Sequence, residues 1–203
     1  MGFYRKFILP TLIDRAMKDE AVTARRSELI PQATGSVLEI GIGSGLNLPF
    51  YSTGVTDLRG VDPSAKLLSM AGKKIARAGF AVDLVCESAE RLSLESKSVD
   101  TVVTTWTLCS IPNPLQALQE MKRVLKPGGH LLFIEHGFSP DPKVHAWQHR
   151  INPIWRIIGG GCNLDRRIDE LIISAGFQIA RLQTTYLPGP RPMTYTYEGV
   201  AHY

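Results

Sequence analysis

The sequence predicts one α/β domain on a doubly wound, seven-stranded, mostly parallel sheet whose last strand runs antiparallel. Three observations predict it. Short apolar runs alternate with segments of helical periodicity, the mark of successive βαβ units. The first of those runs ends in a glycine-rich turn, Gly41-Ile42-Gly43-Ser44-Gly45. The closing stretch holds two strand-like runs, 177–187 and 193–201, on either side of Pro188-Gly189-Pro190-Arg191-Pro192. That turn is short enough only for antiparallel neighbours.

The elements follow in order. Residues 1–34 read as an N-terminal helical segment ahead of the main domain, 35–203. There Leu9, Leu12, Ile13, Ala16 and Met17 recur at the spacing of one helix face, with Arg5, Lys6, Arg15 and Lys18 on the same stretch. The pattern suits a helix packed over the domain and its cleft, with a weak membrane-surface contact as the sharper alternative. Strands are expected at 36–40, 58–61, 82–86, 100–105 and 131–134, the last apolar throughout and buried on both faces. A helix over 64–77 takes Ser64 as its N-cap. Another over 114–125 sets Leu115, Leu118, Met121, Val124 and Leu125 at helical spacing and stops at Lys126-Pro127-Gly128-Gly129. A third spans 165–175 and closes at Gly176.

Composition narrows the class. The chain has 203 residues, enough for one core, and 44% hydrophobic with 21% charged residues excludes disorder. No apolar run reaches the ~20 residues of a bilayer span. The start, Met1-Gly2-Phe3-Tyr4-Arg5-Lys6, carries neither a secretory signal nor, with Lys6 in place of Ser or Thr, a myristoylation signal. A cytoplasmic location is the expectation. The net charge of +4 is spread along the chain, and no Lys/Arg cluster reads as a nucleic-acid footprint. Cys86, Cys109 and Cys162 are too few and scattered for a disulfide framework and read as reduced thiols.

The glycine turn carries the chemistry. Glycines directly after a first strand let the backbone turn sharply and approach a ligand closely. The spacing is G-x-G-x-G, whereas the dinucleotide fingerprint needs glycine where Leu46 stands, which disfavours a nicotinamide dehydrogenase. Glu39 precedes the loop; a pyrophosphate gains nothing from a carboxylate there, but a ligand carrying an ammonium and a sulfonium does. Asp62, about twenty residues past the first glycine, stands where a carboxylate accepts from ribose hydroxyls. A plain surface turn at either place is the bland alternative.

From about Gly35 to Gly137 the chain resembles the class I S-adenosylmethionine-dependent methyltransferases, which have a Rossmann-like fold. The resemblance implies S-adenosyl-L-methionine as cofactor, bordered by Glu39, Gly41, Gly43, Gly45 and Asn47, with Asp62 and Pro63 at the ribose. It puts Ser88 and Ala89 at the adenine, although the family usually has Asp where Ser88 stands. Thr105 falls in the segment that meets the cofactor's amino group. Outside the shared class pattern, Thr107-Leu108-Cys109-Ser110, Glu135-His136, Trp147-Gln148-His149, Pro153-Ile154-Trp155 and Gly161-Cys162-Asn163-Leu164 resemble the alkyl-thiol methyltransferases and their bacterial relatives. The resemblance departs at the N-terminus, where animal members carry a longer hydrophobic anchor.

The expected reaction is methyl transfer to a small-molecule acceptor, first of all a thiol, with N- or O-methylation of a phospholipid headgroup or quinone as the alternative. A non-catalytic RNA-binding module is disfavoured by the absent basic cluster. Residues 139–164 are expected to cap the acceptor, with Trp106, Trp147, His149, Trp155 and Asn163 as its binding residues. His136 is the candidate base, weighed against a structural histidine beside Glu135. His145 and His149 are four apart, but nothing nearby completes a ligand set, so no metal is expected. Cys109 and Cys162 read as small buried hydrophobes.

Overall fold

The computed structural model describes residues 4–203; the side chains of Arg5 and Lys6 lie outside that description, as do Met1 to Phe3 and the readings made on them. Its sheet is seven-stranded, in the order β3-β2-β1-β4-β5-β7-β6. The strands are β1 (Gly35–Ile40), β2 (Val55–Val61), β3 (Ala81–Val85), β4 (Val99–Thr105), β5 (Leu125–His136), β6 (Gln178–Tyr186) and β7 (Tyr195–His202). β1 to β5 pair in parallel, and β7 is inserted antiparallel between β5 and β6. The helices are α1 (Leu9–Ala16), α2 (Glu20–Leu29), α3 (Ala65–Gly72), α4 (Pro114–Val124), α5 (Pro142–Ile158), α6 (Ile168–Ser174) and the short α7 (Arg191–Thr194). One apolar cluster packs α4 and α6 on one face of the sheet; another packs α2 and α3 on the opposite face. The doubly wound architecture expected from the sequence is therefore present.

Local differences have local causes. α3 starts on its Ser64 cap, whose hydroxyl accepts from Leu67 N, but it ends at Gly72, and Lys74 reaches back to the Ser44 carbonyl at 2.6 Å. α4 buries Ala117, Leu118, Met121 and Val124, leaving Leu115 exposed. β5 already pairs at Leu125↔Val99, makes an excursion through the 126–129 turn, and resumes at His130↔Thr101. α6 starts later than expected because Asp165 and Arg166 are used elsewhere: Asp165 accepts from Asn152 and Arg166 donates to the Leu108 and Ile111 carbonyls. Along α1 and its C-cap the inward residues are Leu9, Ile13 and Met17, while Leu12 and Ala16 face out.

Candidate functional site

The parallel strands end at one edge of the sheet, and their order reverses between β1 and β4. Sheets of this type open a crevice at such a reversal. Here it is a cleft of about 330 Å³, inside the ~300–1,000 Å³ range of small-molecule sites. The glycine loop after β1 forms one wall, the ends of β2 and β3 another, and residues 105–107 with 110–112 at and beyond the end of β4 a third. Leu9, Pro10, Ile13, Asp14 and Met17 of the N-terminal segment close over it.

Glu39, next to last in β1, is 1% exposed. Its Oε1 accepts from Asn47 Nδ2 and its Oε2 from the Tyr51 hydroxyl, each at 2.8 Å. Asn47 also donates to Thr105 Oγ1 at 3.0 Å and accepts from Arg26 Nε at 2.9 Å. Arg26 then donates to the Met17 carbonyl at 2.7 Å, tying the loop to the covering segment. Burial pushes the Glu39 carboxyl up to about 7, although Tyr51, Asn47 and Arg26 all pull it down. The same burial brings Arg26 down to about 10. A further tie is Asp14, whose Oδ1 accepts from Ser44 Oγ and whose Oδ2 accepts from Lys18 at 2.6 Å.

Asp62 follows β2 and holds the loop from the other side. Its Oδ2 accepts from Gly43 N at 3.1 Å and its Oδ1 from Ser64 N at 2.8 Å, and burial raises its pKa despite both bonds. Each oxygen keeps a second lone pair for a ligand hydroxyl. Gly41 has φ +66°, and a Cβ there would collide with the Thr107 side chain. Gly43 has φ +57°, and a Cβ would meet nothing nearer than the Gly41 carbonyl at 3.8 Å, so a side chain there fills cleft rather than protein. Gly45 does not line the cleft; its Cβ would strike Leu48 and Ala71, so it serves to pack the loop on α3.

Pro63, Ser88, Ala89, Thr105 and Trp106 line the cleft. The Ser88 hydroxyl is bonded to Glu90, donating to its carboxylate and accepting from its N–H. Trp106 has φ +48°, a left-handed conformation that costs a non-glycine residue ~1–3 kcal/mol and concentrates at functional sites. Arg26 stands 4.8 Å over its ring, and among the described residues its buried indole N–H has no partner.

The remaining acceptor-side candidates are not brought to the cleft. α5 buries Val144, Gln148 and Asn152, so Trp147 (58% exposed) and His149 project from the opposite face, His149 toward Asp165 at 3.6 Å. Trp155 packs instead against Cys109, Cys162 and Leu164. Asn163 donates to the Cys109 and Gly161 carbonyls. His136 lies edge-on to Trp106, with Nδ1 3.9 Å from Cys162 Sγ. Of 139–164, only Gly159 and Gly160 border the cleft, so its main cover is α1.

Sequence reasoning did not single out Asp14, Arg26 and Tyr51, and it met Glu87 and Glu135 only inside longer motifs, without a role of their own; all five are buried or half-buried polar residues. A single chain offers no periodicity or spacing that singles them out. Glu87 lines the cleft with Oε1 buried and unpartnered. Glu135 accepts from Thr104 Oγ1, Thr107 N and Cys109 N and so shapes the loop after β4.

Comparison with known proteins agrees with this geometry. The family described as Methyltransferase domain matches residues 38–133. Thiol S-methyltransferase TMT1B of Rattus norvegicus is 32% identical over 199 residues, covering 92% of this chain and 80% of the relative. The chain belongs to the S-adenosylmethionine-dependent methyltransferases. A phosphatidylethanolamine N-methyltransferase of Cereibacter sphaeroides is 35% identical over 109 residues, 53% of each chain. A methyltransferase structure from Thermotoga maritima shares the fold, with TM-score 0.68 and 20% identity, covering 98% of this chain and 97% of that one. S-adenosylmethionine is thus the methyl donor of this enzyme.

The residues of the cleft suit that donor. Asp14, Glu39, Asp62 and Glu87 outnumber Arg26 along its walls, which favours a cationic ligand over a pyrophosphate. The orphaned Glu87 Oε1 and Trp106 Nε1 await polar partners, and the open space over Gly43 leaves room for backbone approach. Among the described residues no helix is long and apolar enough to cross a membrane.

Proposed function

We propose that this methyltransferase methylates a small thiol, and that Glu39, Gly41, Gly43, Asn47, Asp62, Pro63, Ser88, Ala89 and Thr105 hold the donor. One observation carries the acceptor assignment: among the described residues no histidine lines the cleft, and its two best-buried carboxylates are already engaged by Tyr51, Asn47 and the backbone of Gly43 and Ser64. An amine or hydroxyl acceptor profits from a positioned base, whereas a thiolate arises near neutral pH and needs only alignment. The name of the rat relative points the same way. Lipid or quinone N- and O-methylation lacks this support.

When bound, S-adenosylmethionine supplies an electrophilic methyl on a sulfonium. Asp62 and Glu87 present acceptors to its polar groups, Glu39 offsets its charge, and Leu9, Ile13 and Met17 exclude water over it. The Trp106 ring supplies an apolar wall beside the acceptor. Across a series of thiols, the pH inflection of the rate should follow each substrate's own pKa. His136→Ala should cost far less than the ~10²–10⁴-fold typical of a lost general base. A fixed inflection for all thiols, or turnover of phenols and amines but not thiols, would reject the thiol assignment.

We also propose a cytoplasmic enzyme that touches membrane surfaces weakly through its N-terminal helix. Supporting this, the described cysteines are unpaired, and Leu12 with Ile154, Ile157 and Ile158 leaves apolar area exposed beside the cleft cover. Tyr4 joins the two segments by donating to the Ile158 carbonyl at 2.9 Å. Sedimentation with anionic vesicles should fall when Leu12 and Ile157 are both replaced by Ser. Equal pelleting of the variant would refute the membrane contact, and disulfides in protein recovered from cells under thiol block would refute the reducing location.

A further inference from the structure

Cys109 and Cys162 are 53 residues apart in sequence but meet beneath the cleft wall. Cys109 lies in the loop after β4 and is 1% exposed; Cys162 lies between α5 and α6 and is 7% exposed. His136, the last residue of β5, is half-buried beside them. The two sulfurs and a ring nitrogen of His136 all lie within 4.8 Å of one another, with Cys162 Sγ 3.9 Å from His136 Nδ1. A zinc ion with Zn–S of about 2.3 Å and Zn–N of about 2.0 Å holds such donors roughly 3.5–3.8 Å apart. Sub-ångström side-chain movements close the difference.

The scaffold fixes the trio from several sides. Asn163 donates both its backbone N–H and its side-chain amide to the Cys109 carbonyl, each at 2.9 Å, which locks the two cysteine loops together. Glu135 holds Cys109 N at 3.1 Å, and both of its oxygens are engaged by loop donors, so it is a neighbour and not a ligand. The buried indole N–H of Trp155 packs in the same cluster as Cys162, where a thiolate is a better acceptor than a thiol.

Binding conserves charge: the exchange is M²⁺ + 2 RSH → M(SR)₂ + 2 H⁺, with no oxidant or reductant, so burying the ion adds no net charge.

We propose that Cys109, His136 and Cys162 form a binding site for a thiophilic divalent cation, zinc foremost, with one coordination position left to water or another small ligand. Three protein ligands and an open fourth position characterise zinc sites that do more than brace a fold. Nothing in the proposal depends on which acceptor the enzyme methylates.

Cobalt titration tests it on the full chain. Protein stripped with a chelator and kept reduced should take up one Co²⁺, showing sulfur-to-cobalt charge-transfer absorption and the strong ligand-field bands of a tetrahedral ion. Zinc should displace it. Cys109→Ala with Cys162→Ala should lower affinity at least a hundredfold while S-adenosylhomocysteine binding reports a folded cleft, and Cys86→Ala should change nothing. Absence of the charge-transfer band in folded wild-type protein would overturn the site, as would its persistence in the double variant.

Discussion

Glu39 and Glu135 stand at matching places, next to last in two parallel strands, 1% and 0% exposed. Burial raises the pKa of both. Their partners separate them. Glu135 is held by the backbone N–H groups of Thr107 and Cys109 and by the Thr104 hydroxyl. Glu39 is held by the Asn47 and Tyr51 side chains and borders the cleft. Backbone donors cannot turn away without unfolding a loop, whereas side chains can reorient. The same residue type at the same depth is a brace in one region and an adjustable electrostatic wall in the other.

Replacing Glu135 breaks the brace. Glu135→Ala leaves two backbone donors and a hydroxyl without partners inside the protein, at ~1–3 kcal/mol for each buried group. A loss of roughly 3 kcal/mol or more in denaturant unfolding is expected, whereas Glu39→Gln should keep most of its stability. Equal losses at the two positions would erase the distinction drawn between them.

Asp62 sharpens the cleft side of the comparison, because it combines both roles. Asp62→Ala should weaken S-adenosylmethionine binding by about 2–3 kcal/mol, the loss of charge-assisted bonds. Asp62→Asn cannot ionise but keeps one acceptor oxygen, so it should lose less. Calorimetry on folded variants checks both, and unchanged affinity in Asp62→Ala would remove this residue from the site.

The pH response of binding is the most diagnostic of an adjustable wall. Glu39 titrates at about 7 when folded, against an ordinary value of 4.5. Between those values the ligand-free protein retains a proton that the unfolded chain has released. That proton's contribution to stability is complete below the ordinary value and lost as pH rises through about 7. A cationic ligand favours the carboxylate, so its binding expels the proton. Affinity for S-adenosylmethionine should therefore climb toward pH ~7, by at most about tenfold per pH unit, and then level off. Glu39→Gln should flatten the curve. A flat curve in the unaltered protein would mean that Glu39 does not exchange its proton with the ligand.

Alternation of apolar runs with helical stretches was enough to place the parallel strands, and Pro188 to Pro192 enough to predict the antiparallel end of the sheet. The glycine loop, Glu39 and Asp62 were legible because they lie within about twenty residues of one another on one βαβ unit, where chain geometry leaves few alternatives. The acceptor side was not. Trp147 and His149 were set outside by the rotational phase of α5, which depends on what Gln148 and Asn152 find to bond across the fold. Arg26 meets Asn47, and Cys109 meets Cys162, through contacts between segments that no local pattern relates. Local sequence determined the strands, the caps and the loop, because those obey short-range sterics and periodicity. Only tertiary packing decided which side chains share a pocket, because long-range contacts depend on how every intervening element stacks.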